Sequence, residues 1–298
     1  MQRQVGAQGF AYALLIPAFV LIVGVALWPA AQTMWVSLHK ASMIMPGAEF
    51  IGLQNYRDLV SDEDFRNAVV NTIGIFLLAT IPQILSALGL AALLNSQLRA
   101  RTFFRMGVLL PNVTSIAAVA LVFAQLFGRD FGLVNWLIGL VGIDPVDWQS
   151  NRWSSWLAIA TMVDWRWTGY NTLILLAAMQ AIPAELYDAA KIDGANAWRA
   201  FRSVTVPLLR PTLLFVVVIA TIGGIQLFAE PLLFDEVPAS ANGGSGRQFQ
   251  TIALYLYQTA FRNFDFGYAA AISWLLFLMI ILASAGNALL VHRLGGKR

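Results

Sequence analysis

Residues Ile182–Pro211 read IPAELYDAAKIDGANAWRAFRSVTVPLLRP, a polar stretch in a chain that is 58% apolar and only 12% charged. Pro183 suits the first turn of a helix, where its missing N–H would have no intrahelical partner anyway. A helix of roughly ten residues should follow, centred on Asp188, Ala189 and Ala190. Asp193-Gly194 ends it, because glycine accepts the left-handed conformation without a Cβ penalty. Asn196 is placed to cap a second short helix carrying Trp198, Arg199, Phe201 and Arg202, which is expected to stop before Pro207. Trp198 and Phe201 are three apart and share one face, with Arg199 and Arg202 as a basic edge. The reading is an amphipathic helical hairpin over 182–210, shaped for a groove on another protein.

Outside this stretch the chain is made for a membrane. The charged share is about half that of an ordinary soluble domain, and 298 residues of such composition would expose large apolar patches in water. Six stretches reach the length of about 20 apolar residues that hydrocarbon requires: Phe10–Leu38, Val69–Leu94, Met106–Phe127, Trp153–Met179, Thr212–Phe234 and Gly267–Val291. The first follows Arg3, as a signal peptide would, but its apolar run exceeds the roughly 7–15 residues of a signal core and reads as an uncleaved span. Six spans put both termini on one side, and charge selects it. With the termini inside, the inner segments carry Arg3, Arg99, Arg101, Arg105, Lys191, Arg199, Arg202, Arg210, Arg293, Lys297 and Arg298. The longer outer segments carry only Lys40, Arg57, Arg66, Arg129, Arg152, Arg247 and Arg262. Eleven against seven is the positive-inside pattern, so both termini and the hairpin are expected in the cytoplasm.

Several chemistries are excluded. There is no cysteine, and His39 and His292 lie at opposite ends, so no Cys- or His-rich metal site can form. No phosphate-cradling G-x-x-x-x-G-K-[ST] occurs, nor H-E-x-x-H or G-x-S-x-G, so neither ATP binding nor hydrolase chemistry is expected in this chain. A net charge of +3 without basic runs gives no footing for nucleic acid. Of the outer loops, Gly47–Asn67 has room for a short amphipathic helix. Gly128–Asn151 contains the Trp-bearing VNWLIGLVG, too short to span and suited to the interface. Asp235–Gly246 reads as a loop, with VPASANGGSG supplying proline, glycine and small polar residues.

The fourth span, TMVDWRWTGYNTLILLAAM, holds the most polar groups. Asp164 lies near mid-membrane, where a charge costs roughly 2.5–3.5 kcal/mol on insertion scales and must face protein or water. Asp164, Thr168 and Asn171 form one helical stripe and Arg166 and Tyr170 a second, flanked by Trp165 and Trp167. Amides, hydroxyls and carboxylates beside aromatic planes suit a sugar, which presents hydroxyl edges and apolar faces. Gln226 and Phe228, following Gly223-Gly224, add to this candidate pathway, with Asn112, Ser115 and Gln125 as weaker members. The same stripes also suit packing between helices of this chain and a partner chain. Pro82 is read as a kink, and Glu230 as a solvated residue near the outer end of its span.

The Ile182–Pro211 stretch resembles the "EAA" loop of permease subunits in binding-protein-dependent ABC importers, E-A-A, three residues, G, nine residues, I-x-L-P. Here Asp188-Ala189-Ala190, Gly194 and Val204-Thr205-Val206-Pro207 keep the spacing, with Asp for Glu and Val for Ile and Leu. LLPN at Leu109–Asn112, NGG at Asn242–Gly244 and LYLYQTAFRNFDFGYAAAIS at Leu254–Ser273 extend the resemblance, which looks like the carbohydrate-uptake branch. It implies an all-α, six-span type I importer fold, a second homologous permease, a cytoplasmic ATPase dimer holding ATP and Mg, and an extracytoplasmic solute-binding protein. Asp188, Ala189, Ala190, Gly194, Trp198, Phe201 and Pro207 would couple to the ATPase. The cargo would be a di- or oligosaccharide, with glycerol phosphate or another polyol as nearest variant. The rival classes are an ion-coupled transporter, which should carry inverted repeats that this sequence does not display, and a membrane enzyme or purely structural assembly factor.

The orientation is testable, because the chain has no native cysteine. Arg101→Cys, Ser203→Cys and Lys297→Cys should resist impermeant thiol reagents in intact cells, whereas Ser61→Cys and Ser245→Cys should react. Labelling of Ser203→Cys from outside would refute the inward hairpin.

Overall fold

A computed structural model describes residues 14–42, 47–96, 101–235 and 242–294. The start of the first expected span at Phe10 and much of the Asp235–Gly246 loop lie outside the described residues. The chain divides into two compact units, Met1–Asp62 with Leu256–Leu275, and Glu63–Tyr255 with Leu276–Arg298.

In the first unit α1 (Leu14–Ser37) passes through a π-helical segment at Ile22–Leu27. It leads into an antiparallel pair, β1 (His39–Lys40) with β2 (Glu49–Phe50), and then α2 (Gln54–Ser61). Asn55, buried on α2, donates from Nδ2 to the carbonyls of Ser37 and His39 at 2.8 and 3.2 Å, so one amide satisfies the carbonyls exposed where α1 ends. The Tyr268 hydroxyl donates to the Asp62 carboxylate at 2.7 Å. α1 itself exposes apolar side chains all round, as a helix bathed in lipid or covered by a partner does.

The second unit begins with α3 (Glu63–Asn95), α4 (Arg101–Val113), α5 (Ile116–Leu126) and α6 (Leu133–Gly139). It continues through α7 (Arg152–Gln180), α8 (Ala184–Ile192), α9 (Ala197–Leu208), α10 (Arg210–Ile225) and α11 (Ala229–Phe234). Helices α12 (Ile252–Phe261) and α13 (Phe266–Leu294) contribute residues to both units. Among the described residues α1, α3 and α13 are each long and apolar enough to cross a membrane. The count is six if the bent pairs α4–α5, α7–α8 and α9–α10 each make one span.

The most extensive packing is α3 against α7, with α4 also against α7. Small residues permit it. A Cβ on Gly169 would overlap the Val108 carbonyl, so α4 can approach α7 only because position 169 has none. Two apolar clusters result. One gathers Ile75, Val119, Phe123, Trp156, Met162 and Phe249, and the other Ala87, Leu94, Leu175, Met179, Leu209 and Val216. Along both α3 and α7 a polar belt separates them.

Two of the stretches read as spans are interrupted, and one local expectation needs correction. Met106–Phe127 is not one straight helix, since α4 and α5 meet at 90°. There Ser115 turns extended, and the Thr114 hydroxyl donates to the Leu110 carbonyl at 2.9 Å. The stretch Thr212–Phe234 is helical only to Ile225, opens at Gln226–Phe228 and resumes as α11. The opening is tolerated because the Thr251 hydroxyl donates to the freed Leu227 carbonyl at 2.7 Å. Finally, the helix after Asn196 does not stop before Pro207. A π-helical turn at Phe201–Thr205 restarts the register, placing Pro207 in the first turn of the next helical segment, where no N–H is needed.

Residues 242–252 are tied to α3 and α7. Asn71 Nδ2 donates to the carbonyls of Arg247 and Gln250 at 2.9 and 3.0 Å, while its Oδ1 accepts from the Trp156 indole at 3.2 Å. Phe249 is fully buried against Phe234.

The helix packing predicts a contrast between two glycines. Gly169→Val should lower stability by about 1–3 kcal/mol or more, seen as a reduced melting temperature of the purified chain in detergent. Gly107→Ala on the open face of α4, where a Cβ meets nothing within 4 Å, should leave it unchanged or slightly raised.

Candidate functional site

The polar belt borders a cavity of about 480 Å³, within the size range of small-molecule sites. Five helices of the second unit and the opening after α10 line it, α5 through Ile116 alone. α3 supplies Thr80 and Gln83, α7 supplies Val163, Arg166, Trp167 and Asn171, and α10 supplies Ile219, Gly223 and Gly224. The opening after α10 supplies Gln226, Leu227 and Phe228, and α11 supplies Glu230.

Two polar pairs define its chemistry. Arg166 Nη1 meets Glu230 Oε1 at 3.1 Å, with side chains 13% and 6% exposed. The guanidinium also lies 5.7 Å from the Trp167 ring centroid, within cation–π range. Its Nε is buried and has no partner among the described residues. In the second pair Asn171 Nδ2 donates to Gln83 Oε1 at 3.1 Å, both side chains being buried. The cavity is therefore electrically balanced. Its one cation and one anion neutralise each other, while amides and an aromatic face remain to meet an uncharged polar ligand.

Glu230 is the main correction to the sequence reading. It was expected at the outer interface, solvated, yet it is 4% exposed and paired to α7. A continuous helix would have carried it outward, whereas the break at Gln226–Phe228 releases α11 to pack against α5 and α7. Of the nine candidate pathway residues, the cavity brings together Arg166, Trp167, Asn171, Gln226 and Phe228. Asp164 instead accepts from the Thr168 hydroxyl at 2.8 Å, Trp165 packs against Phe123, and Tyr170 meets the edge of Trp167. None of these four residues, nor Asn112, Ser115 or Gln125, lines the cavity. Gln83 and Thr80 were missed. Two polar side chains beside Pro82 inside an apolar run carried the same signal as the fourth span.

The hairpin departs from the axis of α7 by 73° and rejoins α10 through a 68° bend. Its first turn-back is a Schellman motif. Gly194 N–H donates to the Lys191 carbonyl at 3.0 Å and Ala195 N–H to the Ala190 carbonyl at 2.9 Å, with Gly194 at φ +76°. Asn196 caps α9, its Oδ1 accepting from Arg199 N–H at 2.9 Å. The hydroxyls of Tyr187 and Thr205 meet at 2.9 Å and tie α8 to the π turn. Asp188 pairs with Lys191 on the surface, beside the exposed Ala189. Trp198 stacks on Phe201 with centroids 5.7 Å apart. The two rings differ in setting, for Trp198 is 69% exposed whereas Phe201 is partly buried against the cluster of Leu175, Leu209 and Val216. Ile192, 87% exposed, joins Trp198 as an apolar projection that the sequence did not single out.

Comparison with known proteins agrees with this architecture. Residues 83–296 match the family described as binding-protein-dependent transport system inner membrane component. The chain is 34% identical over 276 residues to the arabinooligosaccharides transport system permease protein AraP of Halalkalibacterium halodurans, covering 92% of this chain and 84% of that one. To the lactose transport system permease protein LacF of Rhizobium radiobacter it is 37% identical over 273 residues, covering 90% and 89%. Among solved structures, a bacterial alginate ABC transporter in complex with an alginate pentasaccharide-bound periplasmic protein contains a chain of the same fold. It matches with a TM-score of 0.80 at 19% identity, covering 100% and 99%. The chain belongs to the inner-membrane permease family of binding-protein-dependent ABC importers, multi-pass transporter subunits that are not themselves enzymes, alongside relatives of the carbohydrate-uptake type.

Proposed function

We propose that this chain carries a sugar of di- or oligosaccharide size through the cavity between α3, α7 and α10, driven by ATP hydrolysed in separate subunits. The observation that carries this reading is the lining itself. A self-neutralised Arg166–Glu230 pair, the amides of Gln83, Asn171 and Gln226, and the rings of Trp167 and Phe228 enclose about 480 Å³. Such a wall offers hydrogen bonds to hydroxyls and flat surfaces to sugar C–H faces without a net charge to repel or trap the cargo. Arabinooligosaccharides and lactose in the names of AraP and LacF support the same class.

The hairpin over 182–210 is the proposed grip for the ATPase. Ile192 and Trp198 project from a hairpin closed by the Gly194 turn and the Tyr187–Thr205 bond, so a push on it would move as one body. Asp188, Ala189 and Ala190 lie on its first helix, and Pro207 sits where it returns toward α10. Phe201 serves as the internal brace behind Trp198. The excess of basic residues supports cytoplasmic placement of this hairpin and both termini. In this scheme a second homologous permease completes the pathway, an ATPase dimer holds ATP and Mg at the cytoplasmic end, and a solute-binding protein delivers the sugar outside. Transport follows if nucleotide and loaded binding protein favour opposite conformations, since each ligand shifts the equilibrium only by its differential affinity.

The test uses vesicles containing the chain with its co-purifying permease and ATPase, and the sugar-loaded binding protein. Asn171→Ala and Gln83→Ala should each lower sugar uptake about tenfold, the equivalent of about 1.4 kcal/mol, with basal ATP hydrolysis within about twofold of the parent. Gly194→Val and Trp198→Ala should reduce ATPase retention and uptake together. Normal uptake by both amide variants would remove the cavity from the pathway, and normal ATPase retention by both hairpin variants would remove the hairpin as the grip.

A further inference from the structure

The segment joining α5 to α7 is folded around one side chain. Asn135, 5% exposed on α6, donates from Nδ2 to the carbonyls of Gly128, Arg129 and Val146 at 3.3, 2.8 and 2.9 Å. Its Oδ1 accepts from Val146 N–H at 3.1 Å and from the Trp148 indole at 2.9 Å. One amide thus closes both ends of the loop, and Trp148, Val134 and Ile138 anchor it in the cluster of Phe123, Trp156 and Phe249. The remaining side chains face away from the protein. Phe131, Leu133, Trp136, Leu137, Leu140 and Val141 are all about half exposed or more, and Phe131 is entirely so.

The charges around this face are segregated. No charged residue occurs from 131 to 143, whereas Arg129 and Asp130 stand at one neck and Asp144 and Asp147 at the other. Arg129 and Asp147 pair across the neck at 3.4 Å. A patch recognised by a water-soluble protein mixes apolar and polar surface, about 56–58% of it apolar. Here the exposed side chains are apolar throughout, with one indole as the polar handle. Exposed apolar side chains also occur on the flanking helices, Leu121 and Val122 midway along α5 and Trp153 and Leu157 in the first two turns of α7. In a multi-pass membrane protein such surface meets lipid.

We infer that residues 131–141 form a rigid foot whose apolar face beds in the interfacial layer of the bilayer, on the side where α5 ends and α7 begins. The partner is a lipid surface, with Trp136 at the headgroup level and the charged necks in water. Because Asn135 and Trp148 tie the foot to the core, it would set the depth at which α7 sits.

The absence of native cysteine allows a direct measurement. Leu137→Cys and Leu140→Cys, spin-labelled in the full chain with its associated subunits in phosphatidylethanolamine–phosphatidylglycerol nanodiscs, should collide with oxygen several-fold more than with a water-soluble nickel chelate. Ser150→Cys should show the reverse. In the unlabelled chain, dibrominated lipids should quench more emission than they do in Trp136→Phe. Nickel access at 137 and 140 equal to that at 150 would show a water-facing patch, and exclusion of both reagents would show a protein partner. Either result overturns the lipid assignment, as would identical bromolipid quenching with and without Trp136.

Discussion

The ion pair of Arg166 with Glu230 joins residues that lie 64 apart in the chain, and both of them line the cavity. Desolvating two charges costs several kcal/mol each, so such a pair adds little net stability. Removing one partner, however, costs about 3–5 kcal/mol because it strands the other. That asymmetry suits a positioning device. The pair fixes α11 across the opening at Gln226–Phe228, and so places the backbone that Thr251 satisfies and the ring of Phe228 that lines the cavity. The Gln83–Asn171 bond performs the neutral version of the same task between α3 and α7. Around this belt the protein is apolar on both sides, which raises the cost of any unpaired group and accounts for the pairing of Arg166 with Glu230 and of Gln83 with Asn171.

The hairpin applies a different constraint. Its shape comes from backbone chemistry: a Schellman turn at Gly194, an Asn196 cap, and a π turn that accommodates Pro207. The apolar projections Ile192 and Trp198 rest on that scaffold. The Tyr187–Thr205 bond and the seat of Phe201 against the cluster of Leu175, Leu209 and Val216 make the hairpin continuous with α10. Helix α10 runs to the cavity, so one run of chain links the proposed ATPase grip to the proposed sugar site.

Much of this was legible in the sequence where a local rule governs. The Gly194 turn, the Asn196 cap and the shared face of Trp198 and Phe201 follow from propensities acting within a few residues. Helical periodicity separated Arg166 from Asp164, and the structure turns only Arg166 into the cavity. The features that escaped depend on long-range partners. Nothing within reach of Glu230 in the chain signals Arg166, and the break that buries it is stabilised by Thr251, 24 residues away from Leu227. Gln83 was legible in principle, as an amide in hydrocarbon, but Pro82 beside it suggested a kink instead. Pro207 misled because the rule against proline in helices assumes α register, and a π turn suspends it.

The most direct test of the account is a double-mutant cycle on the central pair. Arg166→Gln, Glu230→Gln and the combined variant would be assayed for sugar uptake in vesicles and for thermal stability, with expression and membrane insertion as controls. If the pair braces α11 over the cavity, each single variant loses uptake and stability, and the double variant, left with no stranded charge, recovers part of both, giving a clear coupling term. Losses that simply add, with the double variant worse than either single one, would contradict it.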